Sequence, residues 1–162
     1  MGNIASQVSQ LPLKTLLPVT AAFGSGVTTG FLWAVACLDV RTFHALVDKK
    51  DAETIKKVFP VWWPFGKAFM VPNVAFNALV HLGAYYVTNE KLWILPACLI
   101  GSIGPYTGLV MMEDIDSLMG SKQKIEDDDV YSFTKSFCKA HYPRLLLALV
   151  AFGTDLYLMA NK

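Results

Sequence analysis

The chain has 162 residues, 54% of them hydrophobic and 17% charged, with a net charge of +1 and a mean hydropathy of +0.40. A soluble domain is roughly 45–50% apolar and about 25% charged, so an ordinary water-soluble domain is excluded, and so is a disordered chain, which needs low hydrophobicity and high net charge. With 14 Lys and Arg against 13 Asp and Glu there is no basic surplus for nucleic acid either.

Length points to one domain. Met1-Gly2-Asn3-Ile4-Ala5-Ser6 matches the short pattern for N-myristoylation of Gly2. A bilayer-spanning helix needs about 20 mostly apolar residues, and four stretches qualify: about 16–38, 68–87, 92–112 and 145–160. The first three carry no charge, and the fourth carries only Asp155. Ala34-Val35-Ala36 resembles a signal-peptidase site, but the stretch before it has no strongly basic start and reads as an uncleaved first span.

In the first long link, Asp51 caps a predicted short surface helix reaching Val58, which Pro60 and Pro64 stop. Trp62, Trp63, Tyr85, Tyr86 and Trp93 flank the second and third spans as interfacial aromatics do. The link Thr88-Asn89-Glu90-Lys91 is short enough to make those two spans antiparallel neighbours. In the third link, Glu126-Asp127-Asp128-Asp129 reads as the negatively charged start of a helix rather than a cation site. An amphipathic helix over about 129–141 follows, with Val130, Phe133, Phe137 and His141 on one face, and either lies on the membrane surface or extends the last span, with Pro143 bending or restarting it. The predicted fold class is therefore all-α, an integral membrane four-helix bundle with a short amphipathic helix before the last span.

With four spans, Lys14, Lys91 and Lys162 fall on one side. Arg41, Lys49, Lys50, Lys56, Lys57, Lys67, Lys122, Lys124, Lys135, Lys139 and Arg144 fall on the other. The positive-inside rule places the second set in the cytoplasm and both termini opposite. Expected partners are membrane lipids, a lipophilic aromatic ligand and other subunits of a membrane complex. No nucleic acid, cofactor or metal is expected.

Polar residues inside the spans carry the functional possibilities. Asn73, Asn77, His81 and Tyr85 recur every four residues and share one helix face. Such a face turns inward, either as interhelical hydrogen-bond glue or as the lining of a ligand cavity. In Gly104-Pro105-Tyr106-Thr107-Gly108, Pro105 frees the carbonyl of Gly101, so that carbonyl and the Tyr106 and Thr107 hydroxyls collect near mid-membrane. The small-residue pairs Gly104/Gly108 and Gly26/Gly30 predict close helix packing. His44 and His141 lie at one membrane face and His81 roughly 20 Å deeper, so the three cannot share a metal. Cys37, Cys98 and Cys138 are scattered and read as buried filler.

Three short pieces resemble the anthrone-oxygenase-like family of small four-helix membrane proteins. They are Gly104-Pro105-Tyr106-Thr107 followed by Met112 and Leu118; Phe137 to Arg144, with His141 and Arg144; and Trp62 or Trp63 followed by Gly66 and Pro72. The resemblance covers about residues 20–160 in layout, and Asp116 stands where the family usually has Asn. For fungal members it implies oxidation of a polyketide anthrone to an anthraquinone by molecular oxygen, without a cofactor. In this chain it implies His81 as the catalytic base. Asn73, Asn77, Tyr106, Thr107 and Tyr85 would bind the substrate, and Pro105, Arg144, His141 and Trp63 would be motif or structural residues. The other reading is a non-catalytic small membrane subunit or lipid-binding module.

Overall fold

The computed structural model describes residues 12–120 and 125–161. The Gly2 pattern and Lys122, Lys124 and Lys162 lie outside them. The described chain is four helical rods: α1 (Leu13–Asp48), α2 (Ala52–Thr88), α3 (Lys91–Leu118) and α4 (Asp127–Ala160). Two rods loosen into a π turn, α1 at Val35–Asp39 and α3 at Thr107–Met111. No strand occurs among the described residues. α1 packs along α2 and α4, and α3 packs along the same two, so the rods form an up-and-down four-helix bundle.

Three of the helices, α1, α3 and α4, are long and apolar enough to cross a membrane. α2 is as long, but Asn73, Asn77 and His81 interrupt its apolar stretch. Its outer face is nevertheless greasy: Phe65, Val71, Phe76 and Leu79 are exposed, as are Phe23 on α1, Leu109 on α3 and Leu146 on α4. Exposed apolar surface on every rod suits contact with lipid rather than water. This is the make-up of a multi-pass membrane protein.

Helix boundaries depart from the sequence reading where proline was expected to break them. α2 runs unbroken through Pro60, Pro64 and Pro72, and α4 through Pro143. Each proline removes one backbone donor, but Ile55, Phe59, Phe137 and Cys138 on the same rods are fully buried, and that packing holds the helices together. The amphipathic segment around Val130–His141 accordingly belongs to the same rod as the last span. α2 ends at Asn89, whose φ of 56° is the left-handed cap that Asn tolerates.

The hydrophobic interior divides into three layers. Val40, Phe43, Ile55, Phe59, Ile115, Val130 and Phe137 form one end. Leu32, Met70, Val74, Ile100, Ile103, Leu145 and Ala148 form the middle. Ala21, Val80, Ala84, Trp93 and Leu158 form the other end. α1, α2 and α4, of 34 to 37 residues, are about 50 Å long at 1.5 Å per residue, and α3, of 28 residues, about 40 Å, all longer than the roughly 30 Å hydrocarbon core. Most of the described Lys and Arg residues lie at the end that holds Phe59.

Among the described residues, glycines make close contacts at two points only. A Cβ on Gly24 would lie 2.7 Å from Asn77 Cγ, and one on Gly26 would lie 3.2 Å from Phe152. Gly30, Gly104 and Gly108 have open space where a Cβ would be. The predicted packing pairs therefore hold for Gly26 alone. Of the cysteines only Cys138 is buried, while Cys37 is half-buried and Cys98 is on the outer surface.

The expected cap is present: the Asp51 carboxylate accepts the Thr54 amide at 3.0 Å. Hydrogen bonds from the Thr54 side chain and then from its amide hold the Asp51 pKa below the ordinary 3.8. A depressed carboxylate stabilises above its unfolded pKa and stops doing so as pH falls through its folded one. The first turn of α2 is thus expected to hold at neutral pH and to fray below about pH 4. Amide exchange at Thr54 should show this acid-dependent opening, and Asp51→Asn, which caps without titrating, should remove the pH dependence. The same opening curve in both proteins would rule the cap out as its cause.

Candidate functional site: a lateral cavity above a buried His–Asp pair

The polar face of α2 does turn inward, but its members part company. Asn77 and His81 are buried at the far end of the bundle. The His81 ring is engaged on both nitrogens. Nδ1 is 2.7 Å from the Asn77 carbonyl, which can only accept, so Nδ1 carries hydrogen. Nε2 lies 3.1 Å from each oxygen of Asp155 on α4 and 3.3 Å from Ser25 Oγ on α1. Asn77 Nδ2 donates to the same Ser25 hydroxyl at 3.4 Å, and Trp93 packs 5.9 Å from the imidazole. His81, Asp155 and Ser25 are all 0% exposed. This cluster ties α1, α2 and α4 together. Gly24 leaves the space that Asn77 occupies.

The open volume lies elsewhere, where the Phe59 layer meets the middle layer. A cavity of about 410 Å³ is bounded mainly by α2 and α3, with Phe31 and Val35 of α1 and His141 and Arg144 of α4 behind it. That is within the roughly 300–1,000 Å³ typical of small-molecule sites. Trp63, Gly66, Met70 and Val74 line it from α2, at steps of three and four that place them on one face. Gly101, Gly104, Pro105, Gly108 and Met112 line it from α3 in the same way. The glycines that the sequence assigned to close packing are instead what makes the wall thin.

Both π turns border this space: Val35 and Thr107 belong to them and line the cavity. Single π turns inside α-helices collect at functional sites because they re-aim side chains. Pro105, two residues before the second, has no N–H for the Gly101 carbonyl. Trp63 lies parallel to Phe59, with ring centres 6.3 Å apart, and is edge-on to Phe137. Trp62 bonds to Asp39 through its side chain.

Two polar groups are built into the back wall. His141 is 1% exposed, and its Nε2 donates to the Leu32 carbonyl on α1 at 2.9 Å. That bond fixes the hydrogen on Nε2 and leaves the Nδ1 lone pair without a partner. Arg144 is 5% exposed. Its Nη1 rests 3.5 Å from Met111 Sδ, Nε has no partner, and Tyr106 is near enough to interact with its charge. Arg144 enters none of the ion pairs among the described residues. The charged groups lining the cavity are thus both cations, Lys67 and Arg144.

Of the residues singled out in the sequence, Trp63, Pro105, Thr107, His141 and Arg144 line the cavity. Thr107 spends its hydroxyl hydrogen on the Ile103 carbonyl at 2.8 Å. His81, Asn73, Asn77, Tyr85 and Tyr106 do not line it. Asn73 is half-buried, with its Nδ2 unpartnered. Ala75 is the last lining residue of α2, and His81 lies six residues on, about 9 Å along the helix. The residues expected to share a pocket with His81 are thus split: His81 lies in the buried cluster with Asp155, and the cavity gathers His141 and Arg144. Sequence reasoning passed over Met70, Val74 and Lys67. Their spacing of three and four from Trp63 was the available signal.

No protein-family model matches the chain, and it matches no curated protein and no solved structure. Fold and site together define a class: an all-α bundle of membrane-protein composition, with an apolar cavity between two of its helices and a histidine–arginine pair at its back.

Proposed function

We propose that the chain is a multi-pass membrane enzyme of the cofactor-independent, oxygenase-like type, acting on a lipophilic aromatic of the anthrone kind. The observation that carries this reading is that His141, whose Nδ1 has no partner, lines an apolar cavity whose charged lining groups are both cations. It is joined by a second: nine residues drawn from the three anthrone-oxygenase-like motifs line that one cavity, namely Trp62, Trp63, Gly66, Gly104, Pro105, Thr107, Met112, His141 and Arg144. These residues come from three different helices.

The chemistry uses His141 as base in place of His81. Nδ1 takes a proton from the acidic CH2 between the two aromatic rings. The carbanion that forms is delocalised onto the ring carbonyl, in a chamber where Lys67 and Arg144 favour negative charge. Molecular oxygen accepts the electrons, the carbon gains one oxygen atom, and the other leaves as water with the two hydrogens. The balance is CH2 + O2 → C=O + H2O. Trp63 and the glycine wall of α3 suit a flat ring system and exclude water.

In this reading α2 crosses the membrane with the other three rods, because it packs along α1 and α3 and has lipid-suited residues outside. The Lys- and Arg-rich end then faces the cytoplasm and both termini face away. The test is oxygen uptake by the purified protein with an anthrone. One O2 consumed per quinone formed, above the protein-free rate, is expected. No excess uptake would instead favour the lipid-binding reading, which the same outward-opening cavity also supports.

A further inference from the structure

Arg144 is the most demanding group in the bundle. A guanidinium that is 5% exposed and outside every ion pair among the described residues is an uncompensated buried charge, which folding alone does not favour. Its Nη1 is occupied by the Met111 sulfur, while Nε is unpartnered. The edge of a guanidinium that includes Nε matches the two oxygens of a carboxylate, which it binds with paired hydrogen bonds. No carboxylate side chain lines the cavity to take that place.

The cavity also has a visible way in. Val71 is 59% exposed and Met112 is 39% exposed, and Gly104, Pro105 and Gly108 are exposed as well, yet all five line the cavity. The mouth therefore lies between α2 and α3 on the outer apolar face of the bundle, with Lys67 on its rim.

We infer that the ligand is a lipophilic carboxylic acid that enters sideways from the bilayer between α2 and α3 and seats its carboxylate on Arg144. Its apolar body lies along Gly104, Gly108 and Trp63. Lys67 at the mouth attracts the carboxylate during entry, and Arg144 receives it at the back. This rests on the cavity being the ligand site, as proposed above, and adds the charged group that such a ligand must carry. A carboxylate held at Arg144 would also fix which carbon of a flat substrate meets His141 Nδ1, since the two side chains are three residues apart on one face of α4. The same carboxylate chemistry is offered by an aromatic acid and by a free fatty acid of the membrane.

The experiment uses the full chain in lipid nanodiscs, with Trp33→Phe removing the lipid-exposed tryptophan. Energy transfer from Trp62 and Trp63 reports 2-anthracenecarboxylate, and quenching reports dibromostearate, each beside its methyl ester. Saturable binding of an acid roughly ten- to a hundredfold tighter than its ester is expected, the difference made by one charge-assisted bidentate contact. Which acid saturates identifies the source. Arg144→Gln should bring the acid down to the ester, and Val74→Phe, which narrows the cavity and keeps Arg144, should weaken the binding of acid and ester together. Acid and ester binding equally would overturn the carboxylate inference while leaving the cavity as a ligand site. Acid binding as tight in Val74→Phe as in the wild type would overturn it as well. No saturable binding of any probe would remove the inference and the cavity reading together, and the wild-type comparison needs no variant to fold.

Discussion

Asp155→Ala is expected to destabilise the bundle by about 1–3 kcal/mol, the usual cost of leaving a buried hydrogen-bonding group without its partner. The carboxylate meets His81 Nε2 with both oxygens at 3.1 Å, and neither side chain has any exposure. After the substitution, Nε2 keeps only Ser25 Oγ at 3.3 Å, and a small void opens at the contact of α2 with α4. The loss comes mainly from stranding a partner, so the double variant Asp155→Leu/His81→Leu should recover most of it. Equilibrium unfolding in mixed micelles measures both. A loss under about 1 kcal/mol, the level of an ordinary intramembrane hydrogen bond, would show that the cluster is not the fastening between these helices. The folded fraction of Asp155→Ala should keep its anthrone turnover, because the cluster stands apart from the cavity.

His141→Gln should lower anthrone turnover by roughly 10²–10⁴-fold, the range for loss of a positioned general base. Glutamine can still donate to the Leu32 carbonyl, the bond that now holds Nε2 at 2.9 Å. The change in stability should therefore stay near 1 kcal/mol, the net worth of one hydrogen bond. What disappears is the Nδ1 lone pair, the one ring nitrogen without a partner. The effect should fall on kcat more than on KM, since the base acts on the reacting C–H rather than on the rest of the ligand. His81→Gln is the comparison: unfolding at lower denaturant with kcat per folded molecule unchanged. Equal rate losses in the two variants would return His81 to the catalytic role that its place on the polar face of α2 first suggested.

The helical class and the apolar spans were legible because uncharged runs of this length have one physical use. The Asp51 cap and the short turn at Asn89 were legible for local reasons, since both follow from a few adjacent residues. The continuity of α2 through Pro60, Pro64 and Pro72 was not legible, because proline's local cost is visible in a sequence and the burial of Ile55 and Phe59 against other rods is not. The His81–Asp155 pair stayed hidden for a similar reason. The two residues are 74 positions apart, and nothing local says which face of α4 meets α2. The back wall left a trace: His141, Arg144, Ala148, Ala151 and Asp155 share one buried stripe of α4, and polar residues on such a stripe are either paired or functional. Asp155 proves paired, while Arg144 and one nitrogen of His141 do not. The glycines of α3 show the limit of motif reading. A small-residue pair serves close packing at Gly26 and an open wall at Gly104 and Gly108, and only the neighbouring helix decides which.

The most direct measurement is anthrone-driven oxygen uptake in the wild type and in Val74→Phe. Val74 is buried and lines the cavity, so a larger ring there narrows the space that a flat ligand would occupy. Uptake per folded molecule should fall clearly below the wild-type rate in Val74→Phe. Wild-type uptake persisting in the narrowed protein would contradict the cavity as the functional site.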